Sequence, residues 1–320
     1  MKNVILDVDT GIDDALAIVL AVTHPELRVR AISCVGGNVS LDQVVANTLS
    51  VLNLVGRGTI PVAAGMSRPL LEQPQNAGYV HGRNGIAGLV LPEHPLKPRP
   101  EHAVELLRTE ILACETPVTL IALAPLTNIA VLLRMYPEVA ENIERIVVMG
   151  GAVGAGNATA TAEFNVWHDP EAAAIVFDSG VPLTMYGLEA FYSVTVDADT
   201  IRDLAGSSRP VDAFVGGLLT HLAEMTRDEQ RIAGQGAAAI GDAGTVCAVI
   251  DPAGMTTRRA PVEISLLGAA TRGQTVVDLR TGLGAGGEVT RGERGAVDVV
   301  LGVDGGRYAR LFLDTIATVG

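Results

Sequence analysis

The stretch that organises this chain is Val4-Ile5-Leu6-Asp7-Val8-Asp9-Thr10-Gly11-Ile12-Asp13-Asp14-Ala15-Leu16. Its apolar beginning predicts a buried β-strand, which must end before Gly11. After the glycine, apolar residues recur at the spacing of one helix face, at Ile12, Leu16, Val19 and Leu20. A strand that turns directly into a helix is the first unit of an α/β fold.

Four carboxylates crowd this turn. Asp7 and Asp9 lie two residues apart on an extended segment and share one face, whereas Asp13 and Asp14 fall in the first helical turn, where the helix dipole favours anions. Their mutual repulsion is costly unless a cation or a network of hydrogen-bond donors offsets it. The pattern therefore predicts a site for a hard divalent metal such as Ca²⁺ or Mg²⁺, with helix capping and solvated acids as the alternative.

The composition favours a large α/β domain. The chain has 320 residues, 48% of them hydrophobic but only 3% aromatic, so its core must consist of Ala, Val, Leu and Ile. Such a core suits parallel strands covered by helices on both faces. No change in composition and no linker divides the sequence, which predicts a single domain over residues 1–320.

The charge and cysteine content restrict the partners. A net charge of −13 disfavours binding to a nucleic acid polymer, because no basic surface is available for phosphates, and it points to a small-molecule partner. Three widely spaced cysteines favour a reducing compartment. We expect no signal peptide, because acidic residues begin at Asp7, and no membrane span, and so a soluble, cytoplasmic protein.

The remaining hydrophobic patterns predict a mostly parallel, open, doubly wound (Rossmann-like) sheet with helices on both faces. Further strands are expected at residues 27–35, 61–64, 118–123, 143–149 and 183–186, with a long helix over 211–231. In the C-terminal part of the chain, apolar and polar residues alternate over 262–266, 275–279 and 297–303, which predicts the strands of a small peripheral β-hairpin region. A last helix is predicted from Tyr308.

Several strands end in polar or glycine-rich turns, at residues 7–14, 36–38 and 123–128 and from Gly150 onward. Ligands bind at this edge of an open parallel sheet. The segment 154–170 carries polar side chains that suit sugar hydroxyls. His81 lies in a long loop over 65–100 and is a second candidate for the site, while Asp242 is expected to cap a helix.

Together, five linked motifs resemble the inosine-uridine-preferring nucleoside hydrolases over essentially the whole chain. Residues 7–14 are similar to the family signature D-x-D-x-G-x-D-D. The others, in order, are Gly37-Asn38, Ala124-Pro125-Leu126-Thr127-Asn128-Ile129-Ala130, Met149-Gly150-Gly151-Ala152, and Glu163-Phe164-Asn165 followed by Asp169-Pro170-Glu171-Ala172-Ala173.

The resemblance implies hydrolysis of the N-glycosidic bond of a ribonucleoside to free base and ribose, by a homodimer or homotetramer. It implies a Ca²⁺ held by Asp9, Asp14, the Leu123 carbonyl and Asp242, with a water and two ribose hydroxyls completing the coordination. Asp9 would take the proton of the attacking water, and Asn38 would help to aim it. The residues implied to hold the substrate are Asp13, Asn38, Met149, Asn157, Glu163, Asn165 and Asp242, with His81 as the loop candidate.

The sequence departs from the family at one position. In the best-described branch a histidine precedes the last metal aspartate, but here the residue is Gly241. No imidazole at that position can protonate the leaving base. The candidates for its role are His81, Arg227, Gln230, Arg231 and Gln235. Trp167 and His168 are expected to pack structurally rather than to contact the base.

Two other functions fit parts of the sequence. Asp7-Val8-Asp9-Thr10 also resembles the first motif of the haloacid-dehalogenase phosphatases, but that fold needs a downstream lysine, and after Lys2 only Lys97 is present. A ribose- or nucleoside-binding protein with weak or no turnover would keep the sugar site and tolerate Gly241. Gly282-x-Gly284-x-x-Gly287 matches a dinucleotide-binding fingerprint, but no helix follows, so a glycine-rich hairpin is predicted.

Overall fold

A computed structural model describes residues 1–280 and 296–319 and contains a nine-stranded sheet. The eleven strands are β1 Lys2–Val8, β2 Leu27–Cys34, β3 Val62–Ala64, β4 Val118–Ala122, β5 Ile143–Met149, β6 Leu183–Tyr186, β7 Thr195–Val196, β8 Ala238–Ala239, β9 Met255–Ile264, β10 Thr275–Val277 and β11 Ala296–Val303. The helices are α1 Ile12–Thr23, α2 Leu41–Leu54, α3 Gly78–His81, α4 Ala103–Leu112, α5 Thr127–Met135, α6 Phe164–His168, α7 Pro170–Phe177, α8 Leu188–Phe191, α9 Ala198–Ala205, α10 Pro210–Met225, α11 Asp242–Ile250 and α12 Gly305–Ala317, with short 3-10 helices at Pro137–Asn142 and Pro252–Gly254.

The main sheet is mostly parallel and confirms the predicted fold class. Its strand order is β10-β9-β11-β6-β5-β4-β1-β2-β3, with every pair from β11 to β3 parallel. The predicted tail hairpin is β9–β10, but it is not a separate unit. Both of its strands extend the main sheet, and β11 lies between β9 and β6 as an internal strand. Among the described residues, no helix is long and apolar enough to cross a bilayer.

Strand β1 lies inside the sheet, between β2 and β4, because both of its faces are apolar. Val4, Leu6 and Val8 point to one face, against a core that includes α1, α2 and α11. Ile5 points to the other face, against a core with α4, α5 and α7. The residues that follow β1 are thereby placed at the carboxyl edge of the sheet, near its centre.

Three helix boundaries differ from the predictions. The last helix, α12, begins at Gly305, three residues before the predicted Tyr308. The long helix α10 ends at Met225, not at residue 231, and the chain continues in turns with local hydrogen bonds, such as the Glu229 N–H to the Thr226 carbonyl at 2.9 Å. The Thr226 hydroxyl donates to the Leu222 carbonyl at 2.7 Å, and the Glu229 carboxylate accepts the Arg231 N–H at 3.0 Å. Helix α11 begins at Asp242 with Gly241 as its N-cap, so Asp242 is not the capping residue. The predicted glycine-rich hairpin at 282–287 lies outside the described residues.

Candidate active site

The turn from β1 to α1 is closed by one carboxylate. Asp14 Oδ1 accepts the backbone N–H of Asp9 at 3.1 Å, and its Oδ2 accepts that of Gly11 at 2.9 Å. These contacts satisfy backbone donors that the first helical turn cannot satisfy itself. The side chain of Asp14 is thus fixed at the carboxyl edge of the sheet and fully buried.

Asn38, from the turn after β2, holds Asp9. Its backbone N–H donates to Asp9 Oδ2 at 2.7 Å, and its amide nitrogen donates to Asp9 Oδ1 at 3.2 Å and to Asp14 Oδ2 at 3.2 Å. The preceding residue must be glycine, because a Cβ on Gly37 would stand 2.1 Å from Asp9 Oδ2. The absence of a side chain at Gly37 therefore allows the Asn38 donors to reach the Asp9 carboxylate.

Three acids from distant parts of the sequence meet beside this pair. One carboxylate oxygen each of Asp13, Asp14 and Asp242 lies within 4.8 Å of the others, and Asp13 Oδ1 has no hydrogen-bond partner among the described residues. Burial, with the charge of Asp13, raises the pKa of Asp14 to about 7. Burial, with the charges of Asp13, Asp14 and Asp9, also raises the pKa of Asp242 well above its usual range. Such a cluster favours a bound cation.

Asp9 stands next to the cluster rather than within it. It is completely buried, and burial together with the charge of Asp14 raises its pKa well above the ordinary carboxylate range. Both of its oxygens contact Asn38, whereas Asp13 completes the group of three. A carboxylate with a raised pKa is a better proton acceptor near neutral pH.

Asp7 has a different environment. Its Oδ1 accepts the Ser33 hydroxyl at 2.5 Å and the Asn128 amide at 2.8 Å, on the far side of β1. Asn128 also donates to the Cys34 carbonyl at 3.1 Å and accepts the Met66 N–H at 2.9 Å. These contacts tie strands β1 and β2 to α5, so Asp7 has a structural role at the ends of these strands.

The segment after β5 presents the predicted sugar-binding side chains. Glu163 caps helix α6, its Oε1 accepting the Asn165 N–H at 2.9 Å and its Oε2 accepting the N–H groups of Gly151 and Val166. The Asn165 amide nitrogen donates to the carbonyls of Leu123, at 3.0 Å, and Met149, at 3.1 Å. The ends of strands β4 and β5 are therefore joined through one side chain, beneath the cavity.

His81 reaches the site from the long loop, where it ends the short helix α3. The backbone N–H of Ile12 donates to its Nδ1 at 3.1 Å, so Nδ1 carries no proton and Nε2 does. Its contact of 3.8 Å with Asp13 Oδ1 is consequently not an ion pair. Burial lowers the pKa of His81, which keeps the ring neutral at the N-terminus of α1.

These side chains line a cavity of about 480 Å³. The residues predicted to hold substrate all contribute to its lining, namely Asp13, Asn38, His81, Met149, Asn157, Glu163, Asn165 and Asp242, and so does Leu123, whose carbonyl was predicted as a metal ligand. Asp9 and Asp14 lie below the lining, in contact with Asn38. The sequence thus predicted this part of the cavity lining and the two acids beneath it.

The rest of the cavity lining was not predicted, except for Arg231. It includes Tyr79, Phe191, Tyr192, Leu222, Met225, Asp228, Glu229 and Arg231. These residues lie in helices α3, α8 and α10 or in the segments that follow α8 and α10, and no motif marks them. Of the candidates for the leaving-group role, His81 and Arg231 line the cavity, whereas Arg227, Gln230 and Gln235 are exposed and are not among the described lining residues.

Three other residues do not line the cavity. Trp167 is half-buried and His168 is buried with both ring nitrogens unpartnered among the described residues, and neither contributes to the lining. Burial lowers the pKa of His168 to about 4. Lys97, which the phosphatase alternative requires in the site, is exposed in the long loop.

Comparison with known proteins agrees with this geometry. The family model "Inosine-uridine preferring nucleoside hydrolase" matches residues 4–310. The pyrimidine-specific ribonucleoside hydrolase RihA of Citrobacter koseri is 42% identical over 275 residues, covering 86% of this chain and 88% of the relative, and RihA of Escherichia coli is 40% identical over the same shares.

Solved structures agree as well. A plant nucleoside hydrolase, PpNRh1, and the purine-preferring ribonucleoside hydrolase from Gardnerella vaginalis each superimpose with a TM-score of 0.87 at 30% identity, covering 99% of both chains. Both structures share the fold over its whole length. The chain belongs to the inosine-uridine preferring nucleoside hydrolase family.

Proposed function

We propose that this chain hydrolyses the N-glycosidic bond of ribonucleosides, giving free base and ribose, and that it depends on Ca²⁺. The observation that carries the proposal is the cavity, which has buried acids at its floor and a row of hydroxyl-binding side chains along one wall. A ribose needs both features, since its diol binds to polar side chains while positive charge develops on its ring during bond cleavage.

The donor set fits a hard cation. Asp9, Asp14, Asp242 and the Leu123 carbonyl offer only oxygen ligands, and Asp13 contributes a further carboxylate oxygen within 4.8 Å of those of Asp14 and Asp242. A bound Ca²⁺ would lower the pKa of a neighbouring water and help to hold the sugar hydroxyls. Without a cation, the mutual repulsion of these buried carboxylates is offset only by the donors of Asn38 and the turn.

The residues of the chain divide the remaining tasks. Asp9 accepts a proton from the attacking water, while Asn38 fixes the orientation of its carboxylate. Asn165 and Glu163 are themselves held by backbone groups, so their remaining acceptor capacity can bind sugar hydroxyls in a preorganised way. Met149 packs beneath the sugar. The developing positive charge on the ribose is stabilised by the surrounding acids.

A nucleoside panel tests the proposal. Purified protein is incubated with purine and pyrimidine ribonucleosides in Ca²⁺, and free ribose is measured. We expect release from at least one nucleoside and a loss of at least ~10³-fold for Asp9→Ala, because the variant lacks its general base. The control is Asp203→Asn, in the exposed part of α9, which should keep full activity. Tight nucleoside binding with no ribose release would instead support a binding protein.

A further inference from the structure

The leaving base must be protonated or stabilised, and residue 241 has no side chain that could do this. When the bond from C1′ to the base nitrogen breaks, the electron pair stays with the base, which must be protonated or otherwise stabilised. Gly241 has φ +54°, and a Cβ there would stand 2.7 Å from Asp13 Cβ and 2.9 Å from Phe191 Cζ. The backbone and the Phe191 ring together exclude any side chain, so the stabilising group must come from elsewhere in the cavity wall.

Arg231 is the only permanent cation among the described residues that line the cavity. The other lining side chains that carry charge are acids, namely Asp13, Glu163, Asp228, Glu229 and Asp242. Because α10 ends at Met225, the segment after it runs back along the cavity instead of continuing away as a helix. The early end of the helix therefore places the Arg231 guanidinium in the cavity lining.

The guanidinium is held from three sides. Its Nε and Nη2 donate to Glu229 Oε1, at 2.9 Å, and Oε2, at 2.7 Å, and its Nη1 donates to the Ala155 carbonyl at 3.2 Å. Its Cζ lies 4.1 Å from the centroid of the Tyr192 ring. An arginine has five N–H donors, so two remain available for a ligand. A donor fixed in this way loses little entropy when it binds a developing negative charge.

The Ala155 contact has a further consequence. Ala155 lies two residues before Asn157, so Arg231 is held against the segment proposed to bind the ribose. Arg231 lines the same cavity as Asn157, Glu163 and Asn165, so a base attached to a ribose bound there lies within reach of the same lining. Phe191 and Tyr192, which pack edge-on at 5.0 Å, supply the apolar surface that a flat base requires there.

We propose that Arg231 stabilises the departing base, an inference that rests on the proposed hydrolase function. The bond between C1′ and the base nitrogen breaks with its electron pair on the base, and the water oxygen bonds to C1′ while Asp9 takes the water's proton. Arg231 donates hydrogen bonds to the ring acceptor next to the glycosidic nitrogen, O2 of a pyrimidine or N3 of a purine. Arg231 keeps its own proton, because the hydrogen bonds to Glu229 raise the pKa of a guanidinium that is already strongly basic, and the released base anion takes a proton from solvent.

The test compares substrates that differ only in the leaving group. Nucleosides release a basic nitrogen anion, whereas 4-nitrophenyl β-D-riboside releases a weakly basic phenolate that needs little stabilisation. Arg231→Gln should lower kcat/KM for the best nucleoside by about 10²- to 10³-fold and for the nitrophenyl riboside by no more than about threefold. Arg231→Lys keeps the positive charge but lacks the planar, forked set of N–H donors, and it should retain more nucleoside activity than Arg231→Gln.

Two further variants exclude a merely structural role. Glu229→Gln breaks the ion pair but keeps the guanidinium, so its nucleoside activity should fall much less than that of Arg231→Gln. Arg227→Gln removes an exposed arginine of the same segment and should change neither substrate. Thermal unfolding of each variant verifies that it is folded.

The outcomes are separable. A loss with Arg231→Gln that is equal for both substrates, or absent, overturns the assignment of Arg231 while the hydrolase function stands. An equal loss with Glu229→Gln and Arg231→Gln also overturns it, since the pair would then act only by ordering the loop. A wild-type protein that releases product from neither substrate contradicts the proposed function, and this inference with it.

Discussion

At the scale of single residues, the site depends on positions where one atom more would not fit. Gly241 has a positive φ that side chains disfavour, and its Cβ position is already occupied by neighbours. Gly56 has a similar φ of +66° but open space around it. A comparison of substitutions at the two glycines therefore separates the cost of backbone strain from the cost of a steric clash.

We predict that Gly241→Ala lowers the free energy of unfolding by about 1–3 kcal/mol more than Gly56→Ala does, because only the first substitution adds a clash to the strain. Urea unfolding of both variants measures the difference. Equal losses would contradict the geometry at Gly241 and reopen this position to a side chain.

Glu163 gives a pH-dependent prediction. Burial raises its pKa to about 7, whereas an unfolded chain holds this carboxyl near about 4.3. The folded state therefore binds the proton more tightly, and the contribution of Glu163 to stability is full below about pH 4 and lost as the pH rises through about 7, by at most ~1.4 kcal/mol per pH unit.

Glu163→Gln removes this titration. Between about pH 5 and about pH 8, the stability of the wild type should fall more steeply than that of the variant, as measured by urea unfolding. The exposed Glu26→Gln should follow the wild type. Parallel curves for all three proteins would show that Glu163 does not titrate in this range.

The residues that could be predicted from sequence are those proposed to hold sugar and metal. Asp9, Asp13 and Asn38 lie in short motifs next to strand ends, where the fold itself fixes their position. Arg231 could be named only as one of several candidates. Its place in the cavity follows from where α10 ends, and no hydrophobic pattern in the sequence marks that end.

At the scale of elements, Asn128 connects β1, β2 and the chain after β3. Its amide nitrogen donates to Asp7 and to the Cys34 carbonyl, and its oxygen accepts the Met66 N–H. Asn128→Ala leaves Asp7 Oδ1 with one donor fewer in a buried place. We predict a loss of about 2–4 kcal/mol in the free energy of unfolding, measured with denaturant.

The matched control is Asn53→Ala on the half-buried face of α2, which should cost less than about 1 kcal/mol. A loss for Asn128→Ala as small as for the control would mean that the network does not stabilise the sheet. The network gives the motif at 124–130 a structural role, because Asn128 in this motif joins neighbouring strands. This role requires no bound substrate.

At the scale of the whole molecule, the sheet order brings distant segments together. Helices α1 and α11 pack against each other, so Asp242 joins acids that lie more than two hundred residues earlier in the chain. The parallel sheet and its carboxyl edge could be predicted, because buried strands alternating with helices leave few topologies. The incorporation of β11 into the sheet could not, since an alternating pattern does not specify its partner.

The most direct test of the account is ribose release measured before chelation, after chelation and after Ca²⁺ is restored, with the best substrate of the panel. We predict that the rate of ribose release falls by at least about 100-fold on chelation and recovers fully with Ca²⁺. The reason is that, in the proposed mechanism, the cation bound by the acids at the bottom of the cavity holds the sugar hydroxyls and lowers the pKa of the attacking water. A rate that is the same in chelator as in Ca²⁺ would contradict the account.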